Sequence, residues 1–257
     1  MDKLKQCFSF IDLTTLNATD TQARGRLFAE NVNRFAREYP QIPNVAAICV
    51  YPALIGAVRE TLHVKGVAIA AVGGGFPASQ TFSRIKEQEC VLCVEQGADE
   101  IDIVLSLHYF FAGQYDLVAA EIRMIRQAIG EGTHLKVILE TGALRTEENI
   151  RKASFLAMEN GADFIKTSTG KMEPAATPFA ATIMCKCIAE YYDQTRRRVG
   201  FKPAGGIVTS AAALEYYDIV DQILGSDWLH PSLFRIGASR LANNLLKDIL
   251  GRDLVFF

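Results

Sequence analysis

Short apolar runs alternate along this chain with longer stretches in which apolar positions recur every three or four residues. The short runs are Phe10–Leu13, Val45–Tyr51, Ala68–Val72, Glu100–Leu105, Leu135–Glu140, Phe164–Ser168, Val199–Lys202 and Gln222–Leu224. The longer stretches include Thr19–Glu38, Ser83–Glu95, Asp116–Ile129, Glu147–Glu159 and Thr177–Tyr192. The first pattern predicts strands and the second predicts amphipathic helices. Thr146 ahead of Glu147-Glu148, and Thr209-Ser210 ahead of an alanine run, supply side-chain oxygens for the unpaired N–H groups of a helix start. Strands separated by helices pair through crossovers, so the alternation predicts a parallel sheet. Eight such units in 257 residues fit a single (β/α)8 TIM barrel of the α/β class. A doubly wound sheet is the alternative, but Gly73-Gly74-Gly75 lacks the G-x-G-x-x-G spacing of a nucleotide turn. No linker, low-complexity tract or repeat divides the chain. Residues 1–257 therefore read as one barrel domain with a short N-terminal lead-in and a C-terminal tail.

Composition narrows the setting. The chain is 49% hydrophobic and 22% charged, the balance of a globular protein with a full core. Its net charge of −2 argues against a general nucleic-acid or membrane-surface role. No apolar run is long enough to span a membrane, and Met1–Gln6 lacks a signal-peptide core, so a cytoplasmic location is expected. Cys7, Cys49, Cys90, Cys93, Cys185 and Cys187 form no disulfide framework, and the Cys90/Cys93 pair falls inside a predicted helix. His63, His108, His134 and His230 are scattered without metal-ligand spacing. No protein-bound metal or other cofactor is expected.

Side chains on a strand alternate faces. Glu100, Asp102 and Val104 then point into the barrel, while Ile101, Ile103 and Leu105 pack beneath helices. Lys166 shares a face with Phe164 and Ser168, and Lys202 with Gly200 and Ala204, which leave room beside it. Asp12 lies on the first strand, and Lys136 and Glu140 are further interior candidates on the fifth. Buried ammonium groups are costly unless compensated, and one reading of this set is a network of ion pairs that plugs the barrel.

The other reading is chemical. A neutral amine attacks a carbonyl to give a carbinolamine and then a protonated imine, which stabilises a neighbouring carbanion as an enamine. A lysine with a pKa near 10.4 is protonated at neutral pH and cannot begin. A second ammonium nearby, with partial desolvation, frees the nucleophile. Lys202 can supply that charge for Lys166, Asp102 can move protons, and Asp12 can hold Asp102 or Lys202 in place. The residues alone leave open which lysine is attacked.

Barrel sites lie at the C-terminal ends of the strands. Gly170-Lys171 follows the sixth strand, Gly205-Gly206 follows the seventh, and Gly237-Ala238-Ser239 opens a final helix near 238–250. Glycine turns let backbone N–H groups close on an anion, and a helix N-terminus favours negative charge. Three such turns at adjacent strand ends point to a phosphorylated ligand.

Several motifs carry a family likeness. They are Asp12-Leu13-Thr14-Thr15-Leu16, Asn44–Cys49, Glu100-Ile101-Asp102-Ile103-Val104, Phe164-Ile165-Lys166-Thr167-Ser168-Thr169-Gly170, Gly200-Phe201-Lys202-Pro203-Ala204-Gly205-Gly206 and Phe234–Ser239. From about residue 8 to residue 250 the chain resembles the deoxyribose-phosphate aldolases. The resemblance implies a metal-free class I aldolase on a (β/α)8 barrel. Its reaction is the reversible cleavage of 2-deoxy-D-ribose 5-phosphate to acetaldehyde and D-glyceraldehyde 3-phosphate. By the same resemblance, Lys166 is the Schiff-base lysine, Lys202 perturbs it, and Asp102 gives or takes the proton. Asp12, Cys49 and Thr169 fall on substrate-binding positions, and Gly170, Lys171, Gly205, Gly206, Gly237 and Ser239 on the phosphate end. A small phosphorylated sugar is the implied partner, and a homodimer is consistent with the family.

Three features depart from the family's pattern. Arg240 stands where well-known bacterial members carry a second serine, to bind phosphate or simply to be solvated. The segment Leu254–Phe257 has no terminal tyrosine, which leaves proton transfer at the acetaldehyde methyl to water or makes that step slower. The glycine run at 73–75 suggests a looser third loop. Two other functions compete with this one: another imine-forming phosphosugar aldolase or transaldolase, and a catalytically silent phosphosugar-binding barrel whose lysines only form ion pairs.

Overall fold

The computed structural model describes residues 2–257. Its eight strands are β1 (Ile11–Thr14), β2 (Ala47–Val50), β3 (Ala68–Gly73), β4 (Glu100–Val104), β5 (His134–Ile138), β6 (Phe164–Lys166), β7 (Gly200–Lys202) and β8 (Ile236–Ala238). They pair in parallel in the order β7-β6-β5-β4-β3-β2-β1-β8. Bridges between Phe201 and Phe234, and between Ala204 and Gly237, join β7 to β8 and close the cylinder. The expected (β/α)8 barrel is therefore the observed one.

Alternation along each strand divides the core in two. Ile11, Leu13, Ile48, Ile69, Ile101, Ile103, Leu135, Val137, Ile165 and Phe201 face outward and are buried under the helices. Each such side chain stabilises the fold by roughly 1.5–3 kcal/mol on burial. The helices begin where polar caps allow. Thr21, Thr146, Thr177 and Thr209 each accept an N–H from three residues on, which satisfies a donor that the first turn leaves unpaired. Inside the barrel, β2 and β3 contribute the small apolar side chains Ala47, Cys49, Ala70 and Val72, packed with Leu16. The charged side chains come from the other strands.

Two expectations are corrected. Gln222–Leu224 is the last turn of the helix Ser210–Leu224, whose chain then turns at Gly225 (φ +83°). The eighth strand is Ile236–Ala238, which registers Ile11 against Ile236 and Asp12 against Gly237. Three residues are too few to display alternation, and an apolar helix end reads like a short strand. The third loop is not loose. The Gly75 N–H donates to the Glu89 carboxylate at 2.8 Å and the Ser79 N–H donates to the Gly75 carbonyl at 2.8 Å. Among the described residues, no helix is long and apolar enough to cross a membrane.

The lower layer of the barrel tests this packing. Gly200 on β7 registers against Phe164 on β6, and a Cβ at Gly200 would overlap the Phe164 ring. Gly200→Ala is expected to cost about 1–3 kcal/mol, the usual penalty for overpacking. A urea midpoint equal to that of the parent protein would contradict the packing described here.

Candidate active site

Asp102 is the hub of the barrel interior. It stands third on β4, fully buried, opposite Lys136 on β5. Its Oδ1 accepts from Lys136 Nζ at 2.9 Å, and its Oδ2 accepts from Lys166 Nζ at 2.8 Å and from Lys202 Nζ at 2.7 Å. Lys166 and Lys202 end their strands in direct register, which brings both ammonium positions to one carboxylate oxygen. Asp12 on β1 lies 2.5 Å from Lys202 Nζ and 3.5 Å from Lys136 Nζ. Deeper in the barrel, Glu100 lies 2.6 Å from Lys136 Nζ. Arg235, just ahead of β8, spans Asp12 at 2.6 Å and Glu100 at 2.7 Å.

The four cations are unequally compensated. Burial pushes every amine down, because the charged form loses its hydration. At Lys202, Asp102 and Asp12 outweigh that loss and hold the group above its ordinary range. At Lys136, Asp102 and Glu100 do the same against the opposing charge of Lys202. At Lys166, burial wins: Asp102 pulls the group up, Lys202 pushes it down, and the balance lies below an ordinary lysine. The carboxylates respond in the opposite sense. Burial raises Asp102, but Lys136, Lys166 and Lys202 hold it well below the usual carboxylate range. Lys166 is thus the amine of this cluster whose neutral form is most accessible, beside a carboxylate that stays ionised.

Lys166 also faces open space. A cavity of about 420 Å³ at the C-terminal ends of the strands is lined by Lys166, Thr169 and the backbone-rich segments Gly170-Lys171, Ala204–Val208 and Gly237–Arg240. Arg24, Lys171 and Arg240 are the other cations on its wall, and no acidic side chain lines it. The β6 and β7 loops are locked to one another. The Ser168 hydroxyl donates to the Ala204 carbonyl at 2.6 Å, and the Ala204 N–H donates to Thr167 Oγ1 at 3.0 Å. Thr169 donates its hydroxyl to Glu140 at 2.6 Å and accepts the Lys171 N–H at 3.0 Å. Lys171 Nζ reaches across the mouth to the Leu16 carbonyl at 2.5 Å. Glycine is required at two of these points. Gly205 has φ +88° and a Cβ there would come within 2.6 Å of Ala175, whereas a Cβ at Gly237 would press on Ala204 and on the Lys202 stem.

The residues expected from sequence divide between these two layers. Lys202, Asp102, Asp12 and Cys49 lie in the buried floor, and only Lys166 of the charged cluster lines the cavity. Cys49 is fully buried, and burial raises its thiol above the ordinary range. Gly170, Lys171, Gly205, Gly206, Gly237 and Ser239 come together on the cavity wall, with Thr169 beside them. Arg235, Arg24, Asn17 and Asn243 were not expected. Assigning the eighth strand to Gln222–Leu224 hid Arg235, because a residue entering an inward-facing strand start looks like a loop arginine. The tail also takes part: Phe256 is buried, and Phe257 lies on the cavity wall. Among the described residues, no three His, Cys, Asp or Glu side chains assemble as a metal-binding group.

A parallel barrel with a buried amine at the floor of a cation-walled cavity fits the aldolase class of protein. Residues 7–221 match the model of the DeoC/LacD family aldolases, and the chain belongs to that family. It is 40% identical over 256 residues to human deoxyribose-phosphate aldolase, covering 96% of this chain and 80% of the human protein. The mouse deoxyribose-phosphate aldolase is likewise 40% identical, with the same coverage. Among solved structures, the aldolase QR15 superposes with a TM-score of 0.77 at 26% identity, covering 97% of both chains. The tetrameric deoxyribose phosphate aldolase of Aeropyrum pernix shares the fold, with a TM-score of 0.74 at 23% identity over 97% of this chain and 93% of that one.

The depressed Lys166 has a consequence for stability. An amine whose proton is bound less readily in the fold than in the unfolded chain destabilises the fold at pH values below its ordinary value of 10.5. Asp102 keeps Lys136 and Lys202 when Lys166 is removed. Lys166→Met is therefore expected to raise the thermal midpoint at pH 7, by roughly 2–4 °C for each kcal/mol relieved. A midpoint several degrees lower would show that the Lys166 ammonium is a stabilising ion-pair partner instead.

Proposed function

We propose that this chain reversibly cleaves 2-deoxy-D-ribose 5-phosphate to acetaldehyde and D-glyceraldehyde 3-phosphate through an imine on Lys166. The observation that carries this reading is the position of Lys166. It is the one amine of the buried cluster that lines the cavity, and the one whose charge the surroundings disfavour. Its family and the names of its relatives supply the substrate class. The acid-free cavity wall with Arg24, Lys171 and Arg240 suits a dianionic phosphate, and the turns at Gly170, Gly205, Gly206 and Gly237-Ala238-Ser239 bring backbone close to it.

In this reading the neutral Lys166 amine adds to the aldehyde carbon of the open-chain sugar and gives a carbinolamine. Asp102 bridges Lys166 and Lys202, so it is placed to pass a proton from Lys202 to the departing hydroxyl, which leaves as water. The protonated imine then draws the electron pair of the C2–C3 bond as the C3 hydroxyl gives its proton to the same relay. D-Glyceraldehyde 3-phosphate departs and an enamine remains on Lys166. The proton held by the relay passes to its terminal carbon, and water then hydrolyses the imine, which releases acetaldehyde, restores the amine and returns a proton to Lys202. Asp12 holds Lys202 from below and stays out of the cavity. One barrel domain thus supplies the nucleophile and the proton relay, with a small phosphorylated sugar as its partner. The six unpaired cysteines, all buried, favour the cytoplasm as its compartment.

Incubation with deoxyribose 5-phosphate and borohydride, followed by peptide mapping, is expected to place a single reduced adduct on Lys166. An adduct confined to another lysine would move the nucleophile, and intact binding with no adduct would reduce the protein to a silent sugar-phosphate barrel. Arg240 tests the phosphate end. A charge-assisted hydrogen bond is worth about 1.5–3 kcal/mol, so Arg240→Ser should raise KM for the phosphorylated sugar by about tenfold or more. Unphosphorylated deoxyribose should be cleaved as before. Equal losses on both sugars would remove Arg240 from phosphate recognition.

A further inference from the structure

The ion-paired cluster inside the barrel holds three carboxylates and four cations; the buried Glu140, past the end of β5, stands apart from it and accepts from the Thr169 N–H and hydroxyl. Asp12 comes from β1, and Glu100 and Asp102 from β4. Against them stand Lys136 from β5, Lys166 from β6, Lys202 from β7 and Arg235 ahead of β8, none more than 5% exposed. From β2 and β3 the cluster is faced by Ala47, Cys49, Ala70 and Val72, where the only titratable group is the buried Cys49 thiol. From the N-terminal mouth, His134 meets Glu100 at 3.3 Å with half of its side chain exposed. Three negative charges balance three positive ones, and one cation is left without a counter-charge.

Geometry identifies the odd one. Lys136 and Lys202 each lie within 4 Å of two or more carboxylates, and Arg235 spans two. Lys166 reaches a single oxygen, Asp102 Oδ2, which Lys202 already holds at 2.7 Å. Deprotonating Lys166 takes a partner only from Asp102, which keeps Lys136 and Lys202, whereas deprotonating any other member takes a partner from two or more carboxylates.

Glu100 is the one acid of the three with no contact to Lys166 or Lys202. Its partners are Lys136, Arg235 and His134. It precedes Asp102 by two residues on β4, which places it deeper by about 6.6 Å of strand and away from the cavity. We propose that Glu100, remote from both substrate and nucleophile, tunes the reactivity of Lys166 by fixing how many negative charges the buried cluster contains. This inference rests on Lys166 being the imine-forming residue. Glu100 is then a positioning residue for charge: Lys136 and Arg235 spend part of their charge on it and correspondingly less on Asp12 and Asp102.

The sign of the effect follows from the count. Removing one negative charge makes a proton on Lys166 less welcome, so the amine becomes available at lower pH. In Glu100→Gln the acidic limb of the kcat/KM profile should move down by on the order of one pH unit, the Coulomb effect of a unit charge about 10 Å away at an effective dielectric near 20. Arg235→Gln should move it up. His134→Lys adds a positive charge at an exposed site that tolerates substitution, and should move the limb down by about a few tenths of a unit at low salt.

The experiment is the pH dependence of turnover in each variant, paired with mapping of the borohydride-trapped adduct. A downward limb in Glu100→Gln with the adduct on Lys166 supports the proposal. An unmoved limb with the adduct still on Lys166 overturns it and leaves the nucleophile assignment standing, because a merely structural Glu100 would lower stability without moving the profile. An adduct elsewhere, already in the parent protein, overturns the underlying reading of Lys166. If Glu100→Gln does not fold, His134→Lys decides: no shift at low salt refutes the charge count.

Discussion

One carboxylate, Asp102, is shared by three ammonium groups in the dry interior of the barrel, and the rest of the site depends on that sharing. Burying an ion is costly unless its partners are close and well aimed. Asp102 satisfies this condition for itself, with Lys136 on one oxygen and Lys166 and Lys202 on the other. It does not satisfy it equally for its partners. Lys136 and Lys202 find further acids, and Lys166 does not. The same desolvation that would simply destabilise an isolated lysine therefore falls on the single amine that opens to the cavity. The cost to folding is concentrated where the cavity begins, on the one lysine of the cluster that lines it.

The surrounding fold serves to hold that imbalance in place. Inward-facing small residues on β2 and β3 keep one side of the barrel apolar, and the charges come from the strands around the rest of it. Hydrogen bonds between the Thr167-Ser168 segment and Ala204 fix the ends of β6 and β7 to each other, so Lys166 and Lys202 cannot drift apart. Above this floor the character of the wall changes from side chain to backbone. The glycine turns and the start of the helix Arg240–Leu250 line the cavity, together with Arg24, Lys171 and Arg240.

Much of this was legible in the chain. The alternation of short apolar runs with 3.6-period stretches determined the barrel, because each unit must bury its own apolar face whatever its neighbours do. The helices Ser83–Glu95 and Glu147–Glu159 have the bounds their patterns predict. Lysines at strand ends followed by glycine turns marked the site, since few structural uses explain an ammonium in an apolar run. Strand parity placed Glu100, Asp102, Lys166 and Lys202 on the inner face.

What parity could not supply was proximity. Register between strands decides that Lys136 lies opposite Asp102 and that Lys166 lies opposite Lys202, and register is a property of the closed sheet. Arg235 was invisible as an interior charge because the strand it precedes is three residues long and is defined by pairing with β1 and not by its own pattern. The sequence by itself determined which groups enter the barrel. Only the tertiary structure decided how their charges are shared, because compensation depends on distances of a few ångströms between residues up to 223 positions apart.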